Sequence, residues 1–497
     1  MLLNNLLPNL PIPDEVLLHQ TPRDYQLADY KTLRAQDRGA NYSEVGTGKS
    51  LVSYLYLMDK LYSGGKILVL MPPGLLKQYR NEFMRIITGH PFEFSLMLKD
   101  KQKRNVAMDG YDKDCWPPIL GLSYQLFVKY YKFFSQQGYY TGVICDEAHC
   151  LGNVKTKTFV SVCFFMQSKA NRSLLMMTAT PMQTEIQSAY GQIKLKNPKA
   201  YVSLDQFDRM HTVYEPRMVK VRDKKGDLRE RKIQTIIEYK NLTQLSENLL
   251  EGAVRRKARE VLPLDAPTII DYEVLLYREH EKLYQTLLQE RMLDMGNDEL
   301  KIADNSSALR QMALQLITNP NKFRPEAEPL PVEEIAPLET LLDLVASMPL
   351  QETKLIVFCH FKETVRYLND VLKDYNPALV YGDSDTDKNV DKLLHDATCR
   401  VGILNFASGG AGFNLQPICY LAIVYEAIGS PGMIEQGLGR IQRSGQTQPV
   451  RVWIFRYGMS LSSALLNKAI NRAGGIKETL KDETCFVDFL AKPVDIL

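Results

Sequence analysis

The sequence lacks the features that mark membrane-spanning, secreted and disulfide-rich proteins. No run of about eighteen apolar residues occurs, so we expect no transmembrane helix. The first residues, MLLNNLLPNLPIPDEV, contain no basic stretch and no long apolar core. We therefore predict no signal peptide and a cytoplasmic location. The eight cysteines form no CxxC pair, and several lie in apolar runs, which favours buried and reduced thiols.

A large excess of charge of one sign is also missing. The 61 Lys and Arg residues nearly balance the 58 Asp and Glu residues, and the net charge is +3. Such a balance neither requires nor excludes a nucleic acid as partner, so a basic binding surface has to be local. With 497 residues, of which 45% are hydrophobic and 24% charged, the chain has the composition of a globular protein of several domains.

Two stretches of the chain share one rhythm, in which short apolar strands alternate with helical patterns. Continuous apolar runs are typical of strands that are buried on both faces, and alternation with helices favours parallel sheets. We therefore predict two α/β lobes. The candidate strands are KILVLMP (66–72), PILGLSY (118–124), GVICDE (142–147) and SLLMMTAT (173–180) in the first lobe, and KLIVFCH (354–360), VGILNF (401–406), YLAIVYE (420–426) and VRVWIFR (450–456) in the second.

The pattern changes between these stretches. Residues 205–240 look extended, with a turn at 224–227. Residues 241–318 carry leucines at helical spacing, which predicts mostly helix. Residues 319–337 contain five prolines and few large apolar groups, which favours a linker.

A glycine-rich motif, SEVGTGKS, occupies residues 43–50 and precedes a helical pattern. Gly46, Thr47 and Gly48 would let the backbone bend around phosphates, and the following helix would supply N–H groups and the positive end of its dipole. In such a loop, Lys49 would reach the β- and γ-phosphates and Ser50 would bind Mg²⁺. The alternative is an ordinary glycine-rich turn, because the strict pattern begins with glycine rather than serine.

Two adjacent acids, Asp146 and Glu147, end the apolar strand GVIC in the sequence DEAH. An acid at the tip of a neighbouring strand holds magnesium in nucleotide hydrolases with a phosphate-binding loop, and Asp146 fits that role. Glu147 would then orient and deprotonate the attacking water. Together with the glycine-rich motif, this pair predicts a site for ATP hydrolysis.

Two arginines, Arg440 and Arg443, lie three residues apart in QGLGRIQRSGQ, and on a helix they would share one face. A planar guanidinium group can stabilise the charge that spreads over the γ-phosphate during transfer. A pair of arginines is more often a solvated surface, so their assignment depends on the flanking sequence.

These motifs occur in the order that is found in superfamily-two helicase-type ATPases, and the chain resembles their Swi/Snf-like group. The resemblance covers residues 21 to 457, and motif II is of the DEAH type. The matching blocks are TPRDYQ (21–26), SEVGTGKS (43–50), LVLMPPGLLKQYRNEF (68–83), DEAHCLGN (146–153), TATPMQT (178–184), the block with the paired arginines Arg255 and Arg256, KLIVFCHF (354–361), ASGGAGFNL (407–415) and QGLGRIQRSGQ (436–446).

The resemblance implies a role for each matching residue. Gln26 would read the adenine, Arg440 and Arg443 would reach the phosphates from the second lobe, and Gln436 and Gln446 match the paired glutamines of the family. Further implied roles concern coupling and DNA contact: Thr178 and Thr180 would couple hydrolysis to lobe movement, and Gly410, Gly412 and Asn414 would line the DNA track and the nucleotide cleft.

The same resemblance implies an α/β fold with two RecA-like lobes and parallel sheets. The residues between the motifs of the two lobes predict a helical insertion and a basic β-hairpin in addition. We expect no accessory domain, which favours a compact phage, viral or bacterial form. The expected divisions are 1–20, an N-terminal extension; 21–200, lobe 1; 201–330, hairpin, helical insertion and linker; 331–460, lobe 2; and 461–497, a C-terminal helical tail.

The function implied is that of a DNA-dependent ATPase, which uses ATP and Mg²⁺ to move on DNA and to remodel or unwind duplex, forked or branched DNA. Single-stranded, duplex and branched DNA are all expected partners, with no membrane partner. One alternative is translocation on duplex DNA without strand separation, and another is action on RNA. The weakest alternative is an ATP-gated scaffold without hydrolysis, since that would require a damaged site.

One basic segment lies between the motifs of the two lobes. Residues 217–232, RMVKVRDKKGDLRERK, contain eight basic and three acidic side chains, so their net charge of +5 exceeds that of the entire chain. Alternation of valine with basic residues predicts two short strands joined at the KKGD turn. The segment is either a solvated loop or a projecting hairpin that grips duplex phosphates or separates strands.

Overall fold

The structure is a computed structural model, and it divides into two compact units. The first consists mainly of Met1–Glu44 and Gly48–Arg256, and the second mainly of Lys257–Ala473. The described residues are 1–97, 116–169, 171–182, 185–222, 228–295, 300–324, 328–382, 384–406, 414–427, 431–458 and 460–480.

The first unit is built on a sheet of seven parallel strands, in the spatial order β11-β2-β8-β7-β3-β6-β5. A short antiparallel pair, β1 with β4, and the hairpin β9–β10 complete its strands. The bounds are β1 (Leu17–Leu18), β2 (Arg38–Asn41), β3 (Ile67–Leu70), β4 (Ile87–Thr88), β5 (Phe94–Leu96), β6 (Ile119–Leu122), β7 (Gly142–Asp146), β8 (Ser173–Met177), β9 (Thr212–Arg222), β10 (Leu228–Tyr239) and β11 (Ala253–Val254).

Helices cover both faces of this sheet. Along β3, Leu68 and Leu70 belong to one apolar core, and Ile67 and Val69 belong to the other. Side chains of a strand alternate between the two faces, so a strand that is apolar throughout needs a cover on each side. The helices of this unit are α1 (Asp24–Arg34), α2 (Lys49–Tyr62), α3 (Pro73–Ile86), α4 (Tyr124–Gln137), α5 (Lys157–Gln167), α6 (Tyr190–Lys196), α7 (Leu204–His211) and α8 (Leu242–Leu250).

The second unit contains a parallel sheet of six strands, in the order β12-β19-β18-β15-β17-β16, and a small hairpin, β13–β14. The strands are β12 (Thr268–Val274), β13 (Met292–Asp294), β14 (Leu300–Ile302), β15 (Lys354–Cys359), β16 (Ala378–Val380), β17 (Val401–Asn405), β18 (Cys419–Val424) and β19 (Arg451–Tyr457). The helices that follow in the chain are α9 (Ala258–Val261), α10 (Arg278–Glu290), α11 (Ser306–Thr318), α12 (Ala336–Ser347), α13 (Lys362–Val371), α14 (Thr386–His395), α15 (Pro431–Leu438) and α16 (Leu461–Leu480).

The predicted α/β class is confirmed. All eight apolar runs that predicted strands form strands, four in each large sheet, and both sheets are parallel. Because the strands of a parallel sheet run in the same direction, their carboxyl ends, and the loops that follow them, lie at one edge. The motifs at the ends of β2, β7 and β8 therefore meet at one edge of the first sheet.

Two predictions for the middle of the chain are wrong in part. Residues 241–318 contain the helices α8, α10 and α11, but β12 lies among them and pairs in parallel with β19, so the second sheet takes a strand from upstream of residue 331. Residues 319–337 are not a simple linker, because Phe323, Leu330 and Ile335 are buried in the core of the second unit. Isolated apolar side chains between prolines carry no periodicity that would have indicated this burial.

The extended segment at 205–240 is confirmed as a β-hairpin for most of its length. Its first residues instead form α7, and the strands β9 and β10 are longer than predicted, with 11 and 12 residues. The predicted turn at 224–227 lies outside the described residues. In the described part of the chain, no helix has the length and apolar character needed to cross a membrane.

The cysteines that the structure describes are free thiols, and most of them are buried. Cys145, Cys359, Cys399 and Cys419 are buried, whereas Cys150 and Cys163 are partly exposed. Their burial agrees with the expectation that these cysteines lie inside apolar runs.

Candidate active site

The loop between β2 and α2 has a backbone that requires glycine at two positions. Gly46 and Gly48 have φ angles of 84° and 81°, in the left-handed region that side chains disfavour. A Cβ atom on Gly48 would also lie 2.2 Å from Nε2 of Gln26. Gly48 is the N-cap of α2, so the loop leads directly into a helix N-terminus with its free N–H groups.

Lys49, the first residue of α2, turns back over this loop. Its Nζ donates hydrogen bonds to the carbonyl oxygens of Ser43, at 2.7 Å, and of Glu44, at 2.9 Å. Burial lowers the pKa of Lys49 to about 8, while the nearby carboxylates of Glu147 and Asp146 act in the opposite direction. The ammonium group therefore lies in the electrostatic field of the two acids that end β7.

Asp146 and Glu147 lie at the carboxyl end of β7, and β8 lies between β7 and β2 in the sheet. Burial, and then the neighbouring charge of Glu147, raise the pKa of Asp146 to about 7, against the attraction of Lys49. Two carboxylates side by side at a partly buried position are unfavourable unless a cation compensates them. This pair, with the hydroxyl of Ser50 on α2, offers the oxygen ligands that Mg²⁺ prefers.

The backbone of Glu147 is strained, with φ at 51° and ψ at 45°. Such a conformation costs of order 1–3 kcal/mol for a residue with a side chain and persists only where its surroundings fix it. Here the hydroxyl of Tyr124 donates to the carbonyl oxygen of Asp146 at 2.7 Å, and the N–H of Cys150 donates to the carbonyl oxygen of Glu147 at 3.3 Å. The carboxylate itself lies 3.2 Å from Nδ1 of His149.

A hydrogen-bonded chain links this acid to the ends of β8 and β2. Nδ1 of His149 lies 3.4 Å from Oγ1 of Thr178, which accepts a hydrogen bond from the N–H of Thr180 at 3.1 Å. The N–H of Thr178 in turn donates to the carbonyl oxygen of Asn41 at 3.1 Å. The residues after β7, β8 and β2 are therefore positioned by one another.

The glycine-rich loop is held from its other side by β11 and the arginines that follow it. The N–H of Tyr42 donates to the carbonyl oxygen of Val254 at 2.8 Å, and the N–H of Glu44 donates to the carbonyl oxygen of Arg256 at 2.9 Å. The guanidinium group of Arg256 binds the buried carboxylate of Asp29 on α1 at 2.7 Å. Burial raises the pKa of Asp29 above its usual value, and the hydrogen bond from Arg256 opposes this shift.

Replacement of Arg256 by alanine is expected to destabilise the first unit by about 3 kcal/mol, at the low end for a broken buried pair because the arginine is partly exposed. The change leaves the carboxylate of Asp29 buried without this guanidinium group. The midpoint of urea unfolding measures the effect. Arg209→Ala is the matched control, since it breaks an exposed pair with Asp205 that contributes about 0.3–0.5 kcal/mol. Equal midpoints for the two variants would contradict the structural role of Arg256.

The second unit contains the other predicted site residues. Gln436 lies on α15, but this helix ends at Leu438, so Arg440 and Arg443 follow the helix rather than share one of its faces. Gly437 and Gly439 have low helix propensity, which accounts for the early end. The guanidinium group of Arg443 donates to Oδ1 of Asn414.

Gln446, the second predicted glutamine, fixes the end of this segment. Its side-chain amide donates to the carbonyl oxygens of Cys419, at 2.9 Å, and Ile441, at 3.2 Å. The segment with both arginines is thus attached to β18, the strand that begins at Cys419.

Six predicted residues of the first unit lie at one edge of its sheet: Gln26, Gly48, Lys49, Ser50, Asp146 and Glu147. Gly46 and Thr47 directly precede Gly48 in the same loop. Gly410 and Gly412 lie outside the described residues. Asp29, Asn41 and Tyr124 were missed by the sequence analysis. The only signal for Tyr124 was its position directly after an apolar strand, and no local signal pointed to Asp29.

Comparison with known proteins finds one matching family model and several similar helicases. The chain matches the family model of the SNF2-related domain over residues 27–324. It is 24% identical over 465 residues to the uncharacterized ATP-dependent helicase YqhH of Bacillus subtilis, covering 87% of this chain and 74% of that protein. It is 22% identical over 481 residues to the ATP-dependent DNA helicase DDM1 of Arabidopsis thaliana, covering 90% of this chain and 61% of that protein.

Two further similar proteins are described with reference to DNA. The chain is 22% identical over 488 residues to the DNA repair and recombination protein RAD54B of Mus musculus, covering 87% of this chain and 52% of the relative. Among solved structures, it is similar to the SWI2/SNF2 ATPase core of Sulfolobus solfataricus in complex with dsDNA, with 17% identity, a TM-score of 0.40, and coverage of 93% of this chain and 96% of the other.

Proposed function

Because the chain belongs to the family of SNF2-related domains, we propose that it is a DNA-dependent ATPase that couples hydrolysis of ATP to movement on DNA. Its output is the remodelling or unwinding of duplex, forked or branched DNA, and it acts in the cytoplasm. Relatives that are named ATP-dependent helicases support the use of ATP. The chain spans only 61% of DDM1 and 52% of RAD54B, so the activities of those whole proteins are not assigned to it.

One observation carries the proposal: the charges of the two acids that end β7 act on the lysine that begins α2. Among the charges around Lys49, Glu147 and then Asp146 do most to raise its pKa against the effect of burial. A cation, two carboxylates and the N–H groups of a helix N-terminus are the groups that bind and hydrolyse a nucleoside triphosphate. A glycine-rich turn without this function would not need the acids at that edge.

The residues of the first unit fit ATP and Mg²⁺. The close approach of Gly48 to Gln26 leaves no room for a side chain where the backbone has to follow the phosphates. Backbone N–H groups of Gly46, Thr47 and Gly48 would bind phosphate oxygens, and Gln26 would contact the adenine. Ser50 and Asp146 would hold Mg²⁺, which supplies positive charge against the phosphates.

In the proposed mechanism Glu147 accepts a proton from the attacking water, and its strained backbone aims its carboxylate. Lys49 neutralises charge on the phosphates. Arg440 and Arg443 supply guanidinium groups to the γ-phosphoryl group during transfer, and Gln436 assists them.

The chain of contacts from His149 to Thr178 gives the site a route for coupling. The carboxylate of Glu147 contacts His149, His149 contacts the hydroxyl of Thr178, and this hydroxyl accepts from the N–H of Thr180, so a movement of the carboxylate would displace each of these groups in turn. We propose that Thr178 and Thr180 transmit hydrolysis to the movement of the motor by this route, and that Asn414, Gly410 and Gly412 belong to the DNA track.

DNA is expected to stimulate the ATPase, and salt is expected to suppress that stimulation. Each phosphate contact contributes about −0.7 to −0.9 to the slope of log affinity against log salt concentration, whereas hydrolysis without DNA involves no such contacts. Steady-state hydrolysis measured with and without duplex DNA over a range of salt concentrations tests this. Equal salt dependence in both series would argue against a nucleic-acid motor.

The same assay separates the remaining alternatives. Stimulation by forked RNA but not by forked DNA would identify an RNA enzyme, and strand displacement on forked DNA would distinguish unwinding from translocation on intact duplex. A protein that binds ATP without turnover under any of these conditions would be an ATP-gated scaffold.

A further inference from the structure

Two hydroxyl groups are buried between α2 and α3, close to the proposed magnesium ligand Ser50. Ser53 lies three residues after Ser50 on α2 and is 0% exposed, and Tyr79 lies in the second turn of α3 and is 6% exposed. The hydroxyl oxygens of Ser53 and Tyr79 are 2.7 Å apart. Since α3 begins at Pro73, shortly after the carboxyl end of β3, this contact joins two helices that start at the same edge of the sheet.

The direction of the hydrogen bonds follows from a count of hydrogens. The hydroxyl of Ser53 has one hydrogen and donates it to the carbonyl oxygen of Ser50 at 2.7 Å. The bond between the two hydroxyls therefore uses the hydrogen of Tyr79. We name these two bonds, from Tyr79 to Ser53 and from Ser53 to Ser50, the hydroxyl relay.

Tyr79 is able to donate because its phenol stays protonated near neutral pH. Burial raises the pKa of Tyr79 above its usual value, and the charges of Asp146 and Glu82 also raise it, against the effect of the bond with Ser53. The influence of Asp146 also shows that the phenol lies within the electrostatic field of the second proposed magnesium ligand.

The relay ends on the part of α2 that has the weakest hydrogen bonds of its own. In the first turn, the N–H of Leu51 lies 3.1 Å from the carbonyl oxygen of Gly48, and the N–H of Val52 lies 3.5 Å from the same oxygen. The second of these distances is beyond the usual range for N–H donors. A serine hydroxyl that bonds back to the preceding turn affects the local bend of a helix. The bond from Ser53 to Ser50 therefore helps to set the geometry of this turn.

The ring of Tyr79 is fixed by its neighbours. Its centroid lies 4.8 Å from that of Tyr54 and 6.2 Å from that of Phe94, both in edge-to-face arrangements. A serine hydroxyl on its own can rotate, whereas a packed tyrosine holds its hydroxyl at one place. Tyr79 therefore selects the orientation in which Ser53 donates to Ser50.

We propose that Tyr79 is a positioning residue of the nucleotide site. Its hydroxyl holds that of Ser53 on the carbonyl oxygen of Ser50, so that the first turn of α2 presents the side chain of Ser50 to Mg²⁺ in one orientation. The inference rests on the proposed function for the role of Ser50. It goes beyond that function because it makes the magnesium site depend on α3.

Removal of single hydroxyl groups tests the inference in the full-length chain. Tyr79→Phe and Ser53→Ala each interrupt the relay, and the double variant interrupts it at both places. Tyr54→Phe is the matched control, since its hydroxyl donates to Oε2 of Glu82 and to the carbonyl oxygen of Tyr79, both at 3.3 Å, and belongs to neither bond of the relay. Equilibrium binding of a fluorescent ATP analogue is measured in EDTA and over a series of free Mg²⁺ concentrations, and urea unfolding gives the stability of each variant.

Tyr79→Phe and Ser53→Ala are each expected to raise the Mg²⁺ concentration that gives half of the effect on nucleotide binding by about two- to tenfold. This is the usual contribution of one neutral hydrogen bond. Binding in EDTA is expected to stay unchanged. The double variant is expected to be no worse than the more affected single variant, because both changes interrupt one relay. Tyr54→Phe is expected to keep the Mg²⁺ requirement of the unaltered protein, whatever its stability.

Three results would overturn the inference. An unchanged Mg²⁺ requirement of Tyr79→Phe, with or without a lower urea midpoint, would show a structural role alone. An equal shift in Tyr54→Phe would show a general effect of packing, and additive losses in the double variant would show two independent roles. If Tyr79→Phe fails to fold, Ser53→Ala is compared with Tyr54→Phe, and equal Mg²⁺ requirements then count against the relay. Nucleotide binding by the unaltered protein that does not depend on Mg²⁺ would instead refute the proposed function.

Discussion

Glutamine in place of Glu147 is expected to lower the rate of ATP turnover by about 10²–10⁴-fold, the usual contribution of a general base. The amide keeps the shape of the side chain, and it can occupy the same left-handed backbone that the hydroxyl of Tyr124 and the N–H of Cys150 hold in place. An amide cannot accept the proton of the attacking water. Nucleotide affinity is therefore expected to change little, and a fluorescent ATP analogue measures it beside the steady-state rate.

A second glutamate of the same unit provides the control. Glu82 accepts a hydrogen bond from the hydroxyl of Tyr54 at 3.3 Å, so Glu82→Gln also replaces a bonded carboxylate by an amide. Turnover of this control is expected to stay close to that of the unaltered protein. Near-normal hydrolysis by Glu147→Gln would refute the assignment of Glu147 as the base.

Alanine in place of Arg443 is expected to reduce DNA-saturated turnover by up to about 10³–10⁵-fold, the range for an arginine that stabilises the transferred phosphoryl group. The loss is expected to be smaller if Arg440 compensates in part. Lysine at this position is expected to restore little, because it lacks the planar guanidinium group. Since Arg443 follows the end of α15 and is partly exposed, its removal leaves the core of the second unit in place.

The exposed Arg451 on β19 provides the matched control in the same unit, and Arg451→Ala is expected to keep full turnover. Both variants are measured at saturating DNA, with DNA affinity determined separately. If Arg443→Ala weakened DNA binding and left the saturated rate unchanged, the arginine would belong to the DNA track and not to phosphoryl transfer.

The central strands of the two sheets could be predicted from the sequence because they are apolar on both faces, as in LIVFC and GVIC. The strands at or next to one edge of each sheet could not be predicted in this way. β2 reads RGAN, and it is a strand because β8 and β11 pair with it on its two sides. β12 was hidden among helical leucines, and its place is set by pairing with β19, where Arg456 binds Asp271 at 2.6 Å.

The candidate site shows the same division. Residues whose chemistry depends on neighbours in the sequence, such as Lys49 after its glycines or Glu147 after Asp146, could be predicted. Residues that contact the site from distant parts of the chain could not be predicted. The pair of Asp29 and Arg256, for example, joins positions that are 227 apart in the chain. The end of α15 before Arg440 was missed because helical spacing alone does not show where a helix stops.

The short strand β11 has a mechanical consequence. Three hydrogen bonds join N–H groups of Ala40, Tyr42 and Glu44 to the carbonyl oxygens of Gly252, Val254 and Arg256. The next residue, Lys257, begins the main part of the second unit, so the chain leaves the first unit from the strand that flanks the glycine-rich loop. Tension on this connection would be transmitted along a short hydrogen-bonded ladder to the glycine-rich loop, which we propose holds the phosphates. A force that opposes the motor on its track would thus act on nucleotide binding through the backbone itself.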